Sequence, residues 1–192
     1  MKERRRDRVF VDANELFPFA VMDVVLALAE DLVIDFVWSE ELLDEWERVI
    51  VRDGKRSAES ARSVAKAVRS YFGSGRIDPA VYQDHIASTP GPDVADRVHT
   101  AAAIGGHATV LLTKNGRDFP VEYLQAHGVK LLTADAYPRD LLRRRPSDVV
   151  ALVRRLAATK TNPPKTPCDV VSGLHRAGAS GFAERLGNRL GC

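Results

Sequence analysis

Cysteine is scarce in this sequence: only Cys168 and Cys192 are present, both near the C-terminal end. Two cysteines allow at most one disulfide bond, and the absence of a Cys-x-x-Cys pair excludes a zinc knuckle. A secretory signal peptide is not expected either, because Asp12, Asn14 and Glu15 interrupt the residues that follow the basic N-terminus. We therefore expect a cytoplasmic protein.

Long apolar runs are also missing. The stretch from Leu16 to Leu28 is rich in apolar residues, but it contains Pro18 and Asp23. At this length it is too short to cross a bilayer as a helix. We expect no membrane partner.

An excess of charge of one sign is absent as well: 28 Lys and Arg balance 26 Asp and Glu, for a formal net charge of +2. Two local basic runs stand out, MKERRRDR at the N-terminus and the three arginines at 143–145. Such runs attract nucleic acid or simply form solvated tails and helix ends. The sequence leaves both interpretations open for each run.

Strand-like and helix-like segments alternate over the first three quarters of the 192 residues. Short β-branched or apolar runs at 8–11, 32–38, 108–113 and 129–133 predict strands, and amphipathic segments lie between them. This alternation is typical of an α/β domain with a parallel sheet. Residues 81–86 form either a further short strand or an irregular link. After residue 145 only helical patterns remain, so we predict a domain over 1–144 and a helical C-terminal extension over 145–192.

Four acidic residues lie where predicted strands end or helices begin: Asp12, Glu45, Asp96 and Asp118. The carboxyl ends of parallel strands share one edge of the sheet, where ligands bind in open α/β folds. Carboxylates gathered there repel one another unless a cation lies between them, and hard divalent cations prefer oxygen ligands. The pattern therefore predicts metal-assisted cleavage of a phosphodiester.

Other polar residues accompany these acids. Thr113 and Asn115 follow the third predicted strand. Asp93 precedes Asp96 by three residues, which puts both on one helix face, although Asp93 is also a good helix N-cap. His99 follows one turn later; it either touches the site or, as we prefer, is an ordinary surface or core histidine.

Four stretches occur in a fixed order, and together they resemble a known family. They are VFVDAN around Asp12, Ser39-x-x-x-Leu43-x-Glu45, Asp96-Arg97 before the alanines at 101–103, and Thr113-Lys-Asn115-Gly-Arg-Asp118-Phe119-Pro120. In this order and spacing, residues 8–140 resemble PIN-domain ribonucleases, specifically VapC-like toxins of type II toxin–antitoxin systems. The helices after residue 145 resemble an extension found in a subset of these toxins.

The resemblance implies an α/β/α sandwich around a central parallel sheet and an endoribonuclease that uses Mg²⁺ or Mn²⁺. It implies that Asp12, Asp96 and Asp118 bind the metal and that Glu45 completes the catalytic acids. Thr113, Asn115 and Asp93 would support them. The family often carries two adjacent acids at its third motif, whereas here Ala95 precedes Asp96.

The partners implied by the resemblance are an RNA substrate, a cognate antitoxin lying over helices at 39–72, and a second copy of the chain in a homodimer. An alternative is a non-catalytic module that binds RNA or protein through its basic runs, with the acids in structural roles. An aspartyl phosphatase is disfavoured, because that class needs Asp-x-Asp after the first strand and Asn14 breaks the pattern.

Overall fold

A parallel sheet runs through the computed structural model, which describes residues 6–192. Its strands are β1 (Arg8–Val11), β2 (Asp35–Val37), β3 (Val110–Leu112) and β4 (Lys130–Leu132). They lie in the order β2-β1-β3-β4, and every neighbouring pair is parallel. β1 is therefore central, and its apolar side chains are fully buried.

Ten α-helices connect and cover these strands within residues 6–192. They are α1 (Ala13–Leu16), α2 (Phe19–Glu30), α3 (Glu40–Arg52), α4 (Ala58–Tyr71), α5 (Val94–Gly105), α6 (Val121–Ala126), α7 (Ala136–Arg144), α8 (Pro146–Thr159), α9 (Pro167–Arg176) and α10 (Ser180–Leu190). Short 3-10 helices occupy Gly73–Gly75, Pro79–Val81 and Gln83–Ser88. None of the helices in this part of the chain combines the length and the apolar character needed to cross a membrane.

The helices form two groups around the sheet. α3 packs against α1, α4 and α5, whereas α2 packs against β2, α8 and α9. This arrangement confirms the predicted α/β sandwich with a central parallel sheet and a C-terminal helical region.

Side-chain caps set the beginnings of three helices that matter for the site and the extension. Ser39 and Asp93 accept hydrogen bonds from backbone N–H groups in the first turns of α3 and α5. Thr166 and Asp169 form a reciprocal capping box at α9, with Pro167 in the first turn. Each cap satisfies backbone donors that a helix start otherwise leaves unpaired.

The strands are shorter than the sequence predicts, and the alternative of a further strand at residues 81–86 is wrong. Leu32 has a φ of 53°, a left-handed conformation that no strand residue adopts, so β2 begins only at Asp35. Residues 81–86 contribute no strand and lie in 3-10 helices. Gly75 lies so close to β2 that a Cβ there would come within 2.0 Å of the Phe36 carbonyl oxygen.

The C-terminal helices pack directly on the rest of the fold. α9 and α10 form a hairpin, α10 contacts α7 and α8, and α9 contacts α2. Phe182 is fully buried, and with Leu174 it lines the same small apolar space as Val25 and Leu112. The hairpin is also closed covalently by a disulfide bond between Cys168 and Cys192. The predicted division at residue 144 remains a prediction.

The predicted basic runs have mostly structural partners. Arg143, Arg144 and Arg145 at the end of α7 each form an ion pair with an aspartate. Residues 1–5 of the N-terminal run lie outside the described residues. Of the rest of that run, Arg6 pairs with Asp35 and Arg8 donates to the Gly106 carbonyl.

Candidate active site

Asp12 is buried at the carboxyl end of β1. Its backbone N–H donates to the Leu112 carbonyl at 2.8 Å, which extends the pairing of β1 and β3 by one residue. The Thr113 hydroxyl donates to Asp12 Oδ2 at 2.9 Å. The ends of two central strands thus fix the orientation of this carboxylate.

Asn115 supports this contact through its backbone. Its N–H donates to Thr113 Oγ1 at 3.0 Å, so the hydroxyl accepts one hydrogen bond while it donates the other to Asp12. The side chain of Asn115 lies at the surface. Thr113 therefore lies where the sequence places it, but Asn115 reaches Asp12 only through that hydroxyl.

His99 on α5 joins two of the predicted acids. Its Nδ1 lies 3.4 Å from Asp12 Oδ1, and its Nε2 lies 3.3 Å from Glu45 Oε2. Our preference for an ordinary surface or core histidine is wrong: the ring is buried, but it lies within the site. Only its position one turn after Asp96 indicates this in the sequence.

The protonation of His99 follows from its surroundings. Burial by itself would lower its pKa, but the contact with Asp12 and the charge of Glu45 outweigh burial and raise the pKa above the usual 6.5. A protonated ring compensates part of the negative charge of the two carboxylates. The His99 ring thus links Glu45 to Asp12. Of the four predicted acids, Glu45 is the one whose position the sequence determines least.

Asp96 lies in the first turn of α5 and experiences the other acids as like charges. Partial burial raises its pKa first, and the nearby carboxylates of Asp93, Asp118 and Asp12 raise it further, to about 6. Asp93 also accepts a hydrogen bond from the Asp96 N–H at 3.0 Å, so it is the helix cap that the sequence allows. The raised pKa shows that the acids share one electrostatic environment.

Asp118 lies in the loop after β3. Its backbone N–H donates to the Asn115 carbonyl at 2.9 Å in a tight turn, and its side chain is half-buried. No hydrogen bond joins its carboxylate to Asp12 among the described residues. It joins the group through its charge, which contributes to the raised pKa of Asp96.

Glu15 is a further acid at this edge that the sequence reasoning missed. It is fully buried in α1, and its Oε1 accepts a hydrogen bond from the Ala134 N–H at 2.9 Å. Its Oε2 has no hydrogen-bond donor among the described residues, although Lys114 Nζ lies 3.7 Å away. Burial raises the pKa of Glu15 above its usual 4.5. The signal in the sequence is its place one turn after Asp12.

The donors at this edge have the chemistry of a site for a hard cation. As placed, no three His, Cys, Asp or Glu side chains within residues 6–192 converge closely enough to hold a metal ion. Their oxygen donors nevertheless suit a divalent ion. The carboxylates repel one another, which helps to raise the pKa of Asp96, and a bound cation would reduce this repulsion. The donor chemistry therefore fits, and the coordination geometry is not formed.

Comparisons with known proteins assign the fold. A family model described as the PIN domain matches residues 8–117, and another described as the VapC50 C-terminal domain matches residues 134–188. No curated protein and no solved structure matches the chain. The first match covers more than half of the chain and includes Asp12, Glu45 and Asp96. PIN domains are generally nucleases and typically use divalent metals. The chain therefore belongs to the PIN-domain family, with a C-terminal region of the VapC type.

Proposed function

We propose that this protein is a metal-dependent endoribonuclease toxin that hydrolyses RNA phosphodiester bonds and is inhibited by a cognate antitoxin. One observation carries the proposal: Asp12 and Glu45 lie on either side of the His99 ring, at 3.4 and 3.3 Å, at the carboxyl end of β1, and the charges of Asp93, Asp118 and Asp12 also help to raise the pKa of Asp96. Carboxylates that repel one another at the carboxyl edge of a parallel sheet form a site for a cation. In a PIN domain, that site belongs to phosphodiester cleavage.

The proposed cofactor is Mg²⁺, or Mn²⁺ in its place, held by Asp12, Asp96 and Asp118. When bound, the ion would make a water molecule acidic and neutralise charge on the attacked phosphate. Thr113 orients Asp12 for this task through their 2.9 Å hydrogen bond.

The remaining residues of the site have separate roles in the proposal. Glu45 is half-buried and would accept the proton of the attacking water, and in-line attack of that water on phosphorus would leave a 5′-phosphate and a 3′-hydroxyl. His99 positions Glu45 and Asp12 on either side of its ring. Asp93 caps α5 and thereby fixes the turn that carries Asp96.

The proposed partners follow the same reasoning. The antitoxin would offer an Arg or Lys to the acids and lie over residues 39–72, where Tyr71 is 81% exposed. We also propose a homodimer, a cytoplasmic location, and a nuclease domain that ends at residue 144. Light scattering measures the oligomeric state, and limited proteolysis tests whether the chain is cut near residue 144.

The function is tested by incubating the purified protein with structured RNAs and Mg²⁺ or Mn²⁺, with and without EDTA, beside Asp12→Asn. We expect cleavage that EDTA abolishes and that Asp12→Asn reduces at least about a hundredfold, since a metal ligand is lost. A control variant, Asp84→Asn, changes an exposed acid away from the strand ends and should cleave normally. Cleavage that persists in EDTA and in Asp12→Asn would contradict the proposal.

The alternative is a non-catalytic module that binds RNA or protein. The unformed coordination geometry favours it, because no three acids of the described chain converge as placed. RNA binding without cleavage under every metal condition is the result that this alternative expects.

A further inference from the structure

A basic groove lies between α7 and α10, away from the acidic site. It has a volume of about 330 Å³ and is lined by Arg139, Leu142, Arg143, Arg185, Asn188 and Arg189. No acidic side chain lines it among the described residues. We call it the arginine groove.

The charges of the arginine groove are arranged in two pairs. Arg139 and Arg143 are four residues apart on α7, and Arg185 and Arg189 are four residues apart on α10. Like charges at this spacing lie on one helix face and destabilise the helix by a few tenths of a kcal/mol. Two such pairs face the same groove, which concentrates positive charge on both of its sides.

The two sides of the groove differ in how far their charge is already compensated. Arg139 lies 3.4 Å from Asp135, and Arg143 lies 2.7 Å from Asp140. On α10, neither Arg185 nor Arg189 has a carboxylate oxygen within 4.0 Å in the described part of the chain. The α10 side therefore carries the charge that is free to bind an anion.

The groove is built on helices that are fixed in place. Phe182 and Leu186 anchor α10 in the core, and the Phe182 N–H donates to Asp135 Oδ1 at 2.7 Å at the start of α7. A Cβ at Gly181 would lie 2.7 Å from Arg139 Nη1, so the start of α10 lies close to this arginine. Because the backbone under the arginines is fixed, only their side chains have to be ordered when a ligand binds.

The two helices that form the groove begin near the edge of the sheet that carries the acids. Asp135 follows β4 at the start of α7, and Gly181 lies in the first turn of α10. Lys114, in the loop after β3, donates to the Ala177 carbonyl at 3.5 Å in the turn before α10. Lys114 therefore contacts both Glu15 at the acidic edge and the turn that leads into α10.

Successive arginines without aromatic neighbours suit one kind of ligand. Guanidinium groups bind phosphate oxygens in pairs of hydrogen bonds, and no ring lines the groove on which a base could stack. We propose that the arginine groove binds the phosphate backbone of the RNA substrate on one side of the cleaved bond, without reading its sequence. This inference rests on the proposed function, because it takes RNA as the substrate.

The inference is tested by binding rather than by cleavage. The full chain carrying Asp12→Asn is titrated with a fluorescent single-stranded RNA at several salt concentrations, with and without Arg185→Gln and Arg189→Gln. We expect the double change to weaken binding about tenfold or more and to lower the salt slope by about 1.4, since each phosphate contact on a single strand contributes about 0.7. The Lys versions of both changes should keep the slope and part of the affinity.

A matched control removes the same charge elsewhere. Arg62→Gln with Arg154→Gln neutralises two exposed arginines on α4 and α8 and should leave the affinity within about twofold. An unchanged affinity in the groove variant, or an equal loss in the control, would overturn the inference, as would failure of the Asp12→Asn chain to bind RNA. If the groove variant kept its affinity for RNA and lost affinity only for an acidic protein, the groove would instead be assigned to that protein. The binding experiment uses the Asp12→Asn chain and does not depend on cleavage. Absence of cleavage by the unaltered chain therefore counts against the proposed function and not against the groove.

Discussion

The carboxyl edge of the sheet is acidic, whereas the groove between α7 and α10 is basic, and the two regions hold their charges differently. At the edge, Asp12 and Glu15 are buried and depend on contacts with distant parts of the chain. In the helices, the arginines lie on the surface and only the backbone beneath them is fixed by the core. The difference teaches that surface charge on a rigid helix can be altered without loss of the fold, whereas a buried acid is part of the fold. Changes in the two regions should therefore affect stability to different extents.

The largest effect tests whether the two regions fold together. Phe182→Ala removes a fully buried ring that lies beside α2 and β3, and we expect it to lower the free energy of unfolding by about 3–5 kcal/mol. Urea denaturation followed by circular dichroism measures it. Tyr71→Ala removes a ring that is 81% exposed and should change stability by less than about 0.5 kcal/mol. Two separate transitions in the unaltered protein would show instead that the regions fold independently.

The next effect concerns the helical region alone. Reduction of the bond between Cys168 and Cys192 opens a loop with a sequence separation of 24, which we expect to cost about 3 kcal/mol of stability through the freedom regained by the unfolded chain. Thermal unfolding with and without dithiothreitol measures the loss. The variant with both residues changed to Ser should behave like the reduced protein and should not respond to the reductant. In a reducing cytoplasm, the stability of the reduced protein is the value that applies.

A smaller effect tests the link between the regions. Lys114→Met removes the cation that lies 3.7 Å from Oε2 of buried Glu15, an oxygen without a hydrogen bond within residues 6–192, so we expect a loss of about 1 kcal/mol. Glu15→Gln in the same chain removes the buried charge, so the double variant should recover part of the loss. Urea denaturation of both single variants and the double variant gives the coupling between the two residues. Strict additivity of the two changes would contradict this contact.

The smallest effect is a pH dependence that belongs to the acidic edge. The folded pKa of Asp96 is about 6 against an ordinary 3.8, so the folded state holds more protons between these values and stability falls as pH rises through them. His99, with its pKa raised above 6.5, adds stability that is present below pH 6.5 and is lost as pH rises through the raised value. Melting temperatures in EDTA should therefore fall from about pH 4 to beyond pH 6.5.

Single variants divide this pH window. Asp96→Asn should flatten the lower part of the melting curve against pH, and His99→Gln should flatten the upper part. Arg185→Gln, in the other region, should leave the shape unchanged. A melting temperature that rises over the same window would contradict the charges described at this edge.

The sequence predicts those parts of the fold that depend on local pattern. The four strand runs and the helix cap Asp93 are found, because neighbouring residues determine them. Strand ends were less accurate, since the left-handed turn at Leu32 depends on how α2 meets β2.

The site required contacts that no local pattern contains. Glu15 meets the Ala134 N–H across 119 residues, and His99 reaches Glu45 only after α5 packs on α3. The arginine groove has the same origin. The spacing of Arg139 and Arg143 is visible in the sequence, but the fact that α10 lies opposite to them is a result of tertiary packing.

The placement of β1 has a consequence for the timing of synthesis. Asp12 precedes its partner Thr113 by 101 residues. A growing chain cannot pair β1 with β3 before β3 has been made, whereas the helices between them form locally. We expect nascent chains stalled before residue 113 not to cleave RNA, because Thr113 is not yet present to orient Asp12. The orientation of Asp12, on which the proposed activity depends, is thus completed only after β3 has been made.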